Sequence, residues 1–533
     1  MSAALVAAVT LPGIAVIAGL VAGPDRRELV ARSGVVLNVL ALAFAVAAFA
    51  SVLDGSPVSA VVENGSGEAL LGLVADRVTS VVLLLVLGVS AVVQSFAARY
   101  LSGDVRAARF FNSANLLTFS TAVMVTSVTF IGLAAAWTVA GISVILLLAM
   151  YSGFEAAREG VRRAVRIFLI GDLALWAAVV LATIEWGSLD IRSLGQSGDE
   201  IAGAAVLVPV ACLLVAAAMA RSAQLPLQSW LPATLAVPTP VSALLHAGVV
   251  NAGGILLVRL SPIFGASSEA THLAFFAGAA TTVYGTALML SKPDIKGALA
   301  HSTMGQMGFM IMTCGLGAYA AAIFHLFAHG MYKATLFLGS GAAVHSHVRQ
   351  TKAPPVRAAG RTARIYSVTL AVTVPAIVLL AFAEWLYPDR SSGANALLLF
   401  GWATGAWVIW GWTRRHHSPA GYLAGAALVT VAAGAYVLLL SSVSEFMAPA
   451  LAGAGDSVVS PWWVVGLFAA LVLAGLTSLA GPGSRVSDFR KTAYVVALGA
   501  SQVTGPRTRP ERSARPAAAG SGGLMPDSQG ART

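Results

Sequence analysis

Charge is scarce in this sequence. Of 533 residues only 11% are Asp, Glu, Lys or Arg, against 57% hydrophobic, whereas a soluble domain carries roughly 25% charged residues. Polar linkers are missing as well, since none interrupts the chain before residue 481. A string of soluble domains of roughly 150 residues each is therefore excluded. Cysteine is nearly absent. Cys212 and Cys314 both fall in apolar runs and in no C-x-x-C pair, so they read as small buried hydrophobes and not as metal ligands. No cluster of His, Cys, Asp or Glu has the ligand set of a catalytic zinc site, and no metal or cofactor is expected on this chain. The first apolar run, from Ala3 to Gly23, lacks a basic segment before it, which fits a cleaved leader poorly.

What recurs instead is the apolar run of about 20 residues, the length that crosses a hydrocarbon core as a helix. Val81 to Val93 and Ala204 to Ala220 are apolar all round, without the period-two alternation of a membrane barrel. The expected fold is all-α and polytopic, with about fifteen transmembrane helices near 3–22, 34–53, 77–97, 114–130, 131–151, 165–184, 203–221, 238–260, 272–291, 295–315, 318–345, 363–387, 394–412, 419–441 and 461–480. The boundary near Thr129 is the least marked, because it carries no charge.

The formal net charge of +10 does not point to nucleic acid, because its placement alternates. Taking every second loop from the first, together with the C-terminal stretch, collects 27 of the 33 Lys and Arg. Glu63, Glu68, Glu185, Asp190, Asp199, Glu200, Glu269, Glu445 and Asp456 fall in the opposite loops. By the positive-inside rule the N-terminus lies outside and the C-terminus in the cytoplasm, as in a multi-pass inner-membrane protein. The chain divides into a transmembrane domain, residues 1–480, and a Gly-, Pro-, Ser- and Arg-rich stretch, 481–533. That stretch reads as a disordered basic tail able to touch anionic lipid.

A charge inside a membrane helix costs several kcal/mol and marks a functional candidate. Asp172 falls in the sixth span, Arg221 ends the seventh and His246 lies in the eighth. His325, His329 and Lys333 follow one another at i, i+4, i+8 in the eleventh, on one face of the helix. Glu384 ends the twelfth. A lone His246 could equally be a helix-to-helix hydrogen bonder, and Arg221 and Glu384 sit where a long side chain could reach the interface. Pro226, Pro232, Pro238 and Pro240 cluster after the seventh span, and Pro375 interrupts the twelfth. Broken helices at matching positions in two halves mark inverted-repeat transporters.

Ser222-Ala-Gln-Leu-Pro-Leu-Gln-Ser-Trp-Leu-Pro followed by Pro238-Thr-Pro-Val-Ser-Ala-Leu-Leu-His246-Ala resembles the signature of the antiporter-like subunits of respiratory complex I and of Mrp-type sodium/proton antiporters. The segments starting at Asp294 and Ala322 are similar to the family's next two blocks, and Asp172 matches the acidic residue of its sixth helix. The resemblance covers roughly residues 70 to 350. The run Leu244-Leu-His-Ala-Gly-Val-Val-Asn-Ala-Gly-Gly looks like the membrane subunits of DAB-type inorganic-carbon pumps. That resemblance implies a cation-conducting subunit, with the proton as the expected ion. It also implies a large zinc-containing partner similar to β-type carbonic anhydrases, which would carry the hydration chemistry, so this chain is expected to be no enzyme itself. A complex I or hydrogenase proton-pumping subunit and a sodium/proton antiporter subunit remain the alternatives.

Two departures from the resembled pattern stand out. Thr138 takes the place of the family's Glu in the fifth helix, and Arg221 the place of its Lys in the seventh. Arginine is not deprotonated in proteins, so it could serve only as a fixed charge beside Asp172. The expectation is an Asp172–Arg221 pair at roughly 4 Å. The competing reading sends Arg221 to the membrane surface.

Overall fold

The computed structural model describes residues 1–65, 69–187, 190–192, 194, 201, 203–235, 237–292, 294–340, 360–388, 390–454, 459–460, 462–476 and 492. The proposed tail, 481–533, lies outside these apart from Thr492, as do Glu68, Asp199, Glu200 and Asp456. Each expected span has a helical counterpart. The helices are α1 (Ser2–Ala22), α2 (Arg27–Leu53), α3 (Arg77–Tyr100), α4 (Ala107–Thr126), α5 (Phe130–Ala149), α6 (Glu155–Trp186) and α7 (Leu207–Arg221). They continue with α8 (Thr239–Ala247), α9 (Ala252–Arg259), α10 (Ser261–Ala266), α11 (Ser268–Ser291), α12 (Ile295–Gly315) and α13 (Tyr319–Leu338). The last are α14 (Arg361–Leu386), α15 (Ser392–Thr413), α16 (Pro419–Met447) and α17 (Trp462–Leu476). Among the described residues ten stretches, one of them Thr239–Arg259 with its interruption, are long and apolar enough to cross a membrane.

Side-chain caps set several helix starts. Asp76 accepts from the Val78 and Thr79 amides while the Asp76 amide donates to Thr79 Oγ1, which starts α3. Thr129 accepts from the Gly132 amide and starts α5. That cap is why the chain turns at a boundary with no charge. Asp294 does the same for α12 through the Gly297 amide.

Three features differ from the expectation. The eighth span is split: α8 ends at Ala247, a 3-10 turn covers Val249–Asn251, and α9 resumes at Ala252. Pro226 and Pro232 lie in the irregular connector after α7, but Pro238 and Pro240 start α8 and break nothing, because a proline in the first turn removes an amide that has no intrahelical partner. Pro375 does not break its helix, and α14 runs through it from Arg361 to Leu386. A membrane helix tolerates the lost amide, and the ring packs against Gly405 of α15, where a Cβ would approach it to 2.9 Å. Among the described residues the matched break in a second half is therefore not seen. Finally, the otherwise helical chain carries an antiparallel hairpin between α2 and α3, β1 (Val58–Glu63) and β2 (Ala69–Ala75).

The burial pattern inverts that of a soluble protein. Leu169 and Leu173 of α6, Ile377 of α14 and Val431 of α16 are exposed, while Arg221, His246 and Lys333 are at most 2% exposed. Apolar side chains face the hydrocarbon and polar ones are held inside the bundle, the arrangement a lipid solvent favours. Backbones meet closely where glycine allows it, as between Gly278 of α11 and Gly308 of α12.

Candidate functional site

Two buried clusters hold the sequence candidates. The first joins α5, α6 and α7. Arg221, in the last turn of α7, points into the protein and donates through Nη2 to Asp172 Oδ1 at 3.0 Å. The expected pair is present, and Arg221 does not reach for the surface. Trp137 Nε1 donates to the same Asp172 oxygen at 2.9 Å, and Arg221 Nη2 also donates to the Trp137 carbonyl at 3.3 Å. The guanidinium carbon lies 4.6 Å from the Trp137 ring centroid and 4.4 Å from that of Phe168, so the cation is held between two π faces. Gly141 makes room for it, since a Cβ there would lie 2.9 Å from Nη2. Thr138 accepts from Trp176 Nε1 at 3.1 Å and takes no part in the ion pair. Burying both charges is costly, and the pair with its added hydrogen bonds is what offsets that cost.

The second cluster joins α8, α12 and α13. His246, the residue before the last in α8, stacks on Phe337 at 4.4 Å, and neither ring nitrogen has a hydrogen-bond partner among the described residues. His329 sits between helices: Nδ1 is 2.6 Å from Gln306 Oε1 of α12 and Nε2 is 3.1 Å from the His246 carbonyl. With the Gln306 amide in this orientation both ring nitrogens face acceptors. A ring carrying two protons satisfies both contacts and a neutral ring only one. Lys333 Nζ donates to the Leu299 carbonyl of α12 at 3.2 Å. His325 is only half-buried, against Phe309 and with its ring centroid 5.8 Å from that of His329. Of the three residues on this face of α13, His329 and Lys333 are therefore enclosed and His325 lies at the edge. Glu384 belongs to neither cluster and pairs with Arg390 beyond the end of α14.

The sequence reading passed over His301 and Gln306. His301 is 1% exposed on α12, with Nδ1 2.8 Å from the Gly297 carbonyl. Both residues fall in the segment starting at Asp294 that carried the family resemblance, and a buried ionisable group there was the available signal. Among the described residues no group of three or more His, Cys, Asp or Glu is placed to hold a metal ion.

Comparison with known proteins identifies the architecture. Residues 127–386 match the family described as "NADH:quinone oxidoreductase/Mrp antiporter, TM", and residues 62–111 match the complex I chain 5 N-terminus. Over these residues the chain resembles the antiporter-like membrane subunits that this family describes. It is 37% identical over 65% of its length to "Probable inorganic carbon transporter subunit DabB1" of Halothiobacillus neapolitanus, of which the match covers 64%. It is 36% identical over 52% of its length to NADH-quinone oxidoreductase subunit L of Mycobacterium tuberculosis, covering 44% of that protein. The Bacillus subtilis protein "Probable inorganic carbon transporter subunit DabB" is also 36% identical, over 52% of this chain and 55% of its own length. The chain thus spans less than two thirds of these curated relatives. Among solved structures, a chain of the Mrp complex from Dietzia superposes with a TM-score of 0.61 at 25% identity, covering 93% of this chain and 59% of that one. A chain of the archaeal membrane-bound sulfane sulfur reductase shares the fold, with a TM-score of 0.63 at 18% identity.

Proposed function

We propose that this antiporter-like subunit conducts protons for an inorganic-carbon pump, working with a zinc-containing partner similar to carbonic anhydrases. The observation that carries conduction is the row His246, His329 and Lys333, enclosed at a helix break in a bundle whose outer surface is apolar. Imidazole and amine can each take up and release a proton, and membrane-buried ionisable groups of this kind line ion pathways. The Asp172–Arg221 pair is the fixed electrostatic element beside that path, with Asp172 as its protonatable member and Arg221 permanently charged. The carbon-pump reading is supported by the two relatives named as inorganic carbon transporter subunits. The chain would sit in the cell membrane with its N-terminus outside, and the hydration of carbon dioxide would take place on the partner's zinc.

The Mrp-like and complex I-like readings are the alternatives, and the Mrp structure's coverage of nearly the whole chain favours keeping the first of them. One experiment separates the three. In a host lacking carbonic anhydrase, this chain co-expressed with a large zinc protein similar to β-type carbonic anhydrases from its own source should restore growth at ambient carbon dioxide, and the chain alone should not. Restoration of sodium tolerance with no effect on carbon would favour the antiporter. Copurification with redox subunits would favour the oxidoreductase. Growth rescue by the chain alone would contradict the partner.

A further inference from the structure

A second polar system lies apart from both clusters and contains no charge. Asn38 of α2, Ser90 and Gln94 of α3, and Asn115 and Thr118 of α4 are all at most 3% exposed and form one hydrogen-bonded cluster. Gln94 Nε2 donates to Ser90 Oγ and to Asn115 Oδ1, each at 2.9 Å. Ser90 Oγ lies 3.1 Å from Asn38 Oδ1 and 2.6 Å from Thr118 Oγ1, and Asn38 Nδ2 donates to Asn115. The network is incomplete: Gln94 Oε1 and Asn115 Nδ2 have no partner among the described residues. Buried amides in a membrane bundle are costly, and a half-satisfied network is costlier still unless water completes it.

A space able to hold water lies at the Ser90 and Thr118 end of the cluster. A cavity of about 40 Å³ has mostly apolar walls, from Leu85 and Val89 to Leu244 and Ile255, with Ser90, Thr118 and Thr121 on one side and Ala247, Gly248, Val249 and Asn251 at the break on the other. Asn251 is 1% exposed and its Oδ1 has no partner among the described residues. A water needs about 10–15 Å³ of such space and two to four polar partners, and the lining offers the unpartnered Asn251 Oδ1 with the hydroxyls of Ser90, Thr118 and Thr121. His246 is the residue immediately before this stretch of the wall. At the other end of the cluster, a pocket of about 240 Å³ lined by Arg27, Glu28, Arg32, Asp104 and Phe111 opens where α2, α3 and α4 meet the surface. Phe111 and Asn115 are one turn apart on α4. Gly34 sits at their junction, where a Cβ would lie 2.7 Å from Asn115 Nδ2 and 3.6 Å from the Phe111 ring.

We propose that the small cavity holds ordered water, and that this water with the Ser90 and Thr118 hydroxyls forms a charge-free proton inlet leading from the α2–α3–α4 interface to the helix break that follows His246. It rests on the proton-conduction reading above and adds a route to it. In each step an oxygen of water, Ser90 or Thr118 accepts one proton and releases another to its neighbour, so positive charge moves and every oxygen ends with its original complement. The amides are poor relays and serve to orient the hydroxyls. Phe111 separates the pocket from the cluster.

The test uses the purified full-length chain with the subunits that copurify, reconstituted in liposomes, with proton flux driven by a potassium diffusion potential. Ser90→Ala/Thr118→Val, which removes both hydroxyls, should lower flux roughly ten-fold or more if the inlet is the main supply, as expected for loss of proton-relay groups. The swap Ser90→Thr/Thr118→Ser keeps both hydroxyls and the summed volume and should recover most of it. Wild-type flux in the hydroxyl-free pair, with Lys333→Ala inactive in the same assay, would overturn the inlet alone. Wild-type flux in Lys333→Ala as well would overturn the conduction reading and the inlet with it. If the hydroxyl-free pair does not reach the membrane, an experimental map of the wild-type complex that resolves water decides. Density within hydrogen-bond distance of Asn251 Oδ1 and of Ser90 or Thr118 supports the inlet, and a dry cavity overturns it.

Discussion

The two charged clusters solve the same problem in opposite ways. Around Arg221 the protein closes every side of the cation: a carboxylate, two aromatic faces, a backbone carbonyl and the bare backbone of Gly141. Around His246, His329 and Lys333 the groups are held singly, by a stacked ring, a carbonyl or an amide, beside a broken helix. The first arrangement suits a charge that must stay, and the second suits groups whose protonation changes. A buried salt bridge on its own would not distinguish a structural tie from a proton carrier. The choice of arginine does, because its guanidinium keeps its proton.

Substitutions can break that contrast, and the largest effect is expected at Lys333. Lys333→Ala should reduce proton flux in liposomes by about 100-fold or more, because an intramembrane carrier is lost, while membrane levels by immunoblot stay near wild type. Asp172→Asn should lower both flux and membrane level. It leaves Arg221 buried without its counter-charge, a change that costs about 3–5 kcal/mol in other proteins. The double variant Asp172→Asn/Arg221→Gln should restore the level but not the flux. Full flux in Asp172→Asn would show that the proton takes another route. Gly141→Ala is expected to be milder. Its methyl would press on the guanidinium at 2.9 Å, and overpacking of this kind costs about 1–3 kcal/mol, read as a lower melting temperature in detergent.

The smallest effect concerns the pocket mouth, outside the membrane-spanning segments. Tyr151 Oη donates to Asp104 Oδ2 at 2.8 Å, and burial followed by the Asp104 hydrogen bond pushes the Tyr151 hydroxyl up to about 12, so it stays a donor. Asp104 is pushed up by partial burial, but the Arg106 amide, the Tyr151 hydroxyl and the Arg106 and Arg27 charges outweigh this and hold it below the usual carboxylate range. A depressed carboxylate stabilises the fold above its unfolded pKa and loses that contribution as pH falls through the lowered value. Tyr151→Phe should therefore destabilise by less than about 1 kcal/mol at neutral pH, and the difference from wild type should vanish under strong acid in a thermal-shift series.

Much of this architecture was legible in the sequence because lipid imposes simple demands. Spans follow from apolar length, and the Asp172–Arg221 pair was one of two readings, favoured because a charge buried alone is costly. The break after Ala247 was hidden, since Gly248-Val-Val-Asn251 is as apolar as a continuous helix and the nearby prolines drew attention to the connector. Pro375 misled for the opposite reason: one missing amide is tolerated in a packed membrane helix. The hairpin did carry a weak signal, Asn64-Gly65 directly after the Val-rich run Val58-Ser-Ala-Val-Val-Glu63, which the count of apolar helices overrode. Asn38, Gln94 and Asn115 were overlooked as single amides in separate apolar helices, and only the packing of α2, α3 and α4 brings them together.

The reciprocal exchange of the two cations tests the division between fixed and mobile charge most directly. Arg221→Lys and Lys333→Arg each keep a positive group in place, and proton flux of both would be measured in the same liposomes. Arg221→Lys should retain a substantial part of the flux, because a fixed charge beside Asp172 is all that position supplies. Lys333→Arg should be as inactive as Lys333→Ala, because guanidinium cannot release its proton. Wild-type flux in Lys333→Arg, or loss in Arg221→Lys alone, would contradict the account.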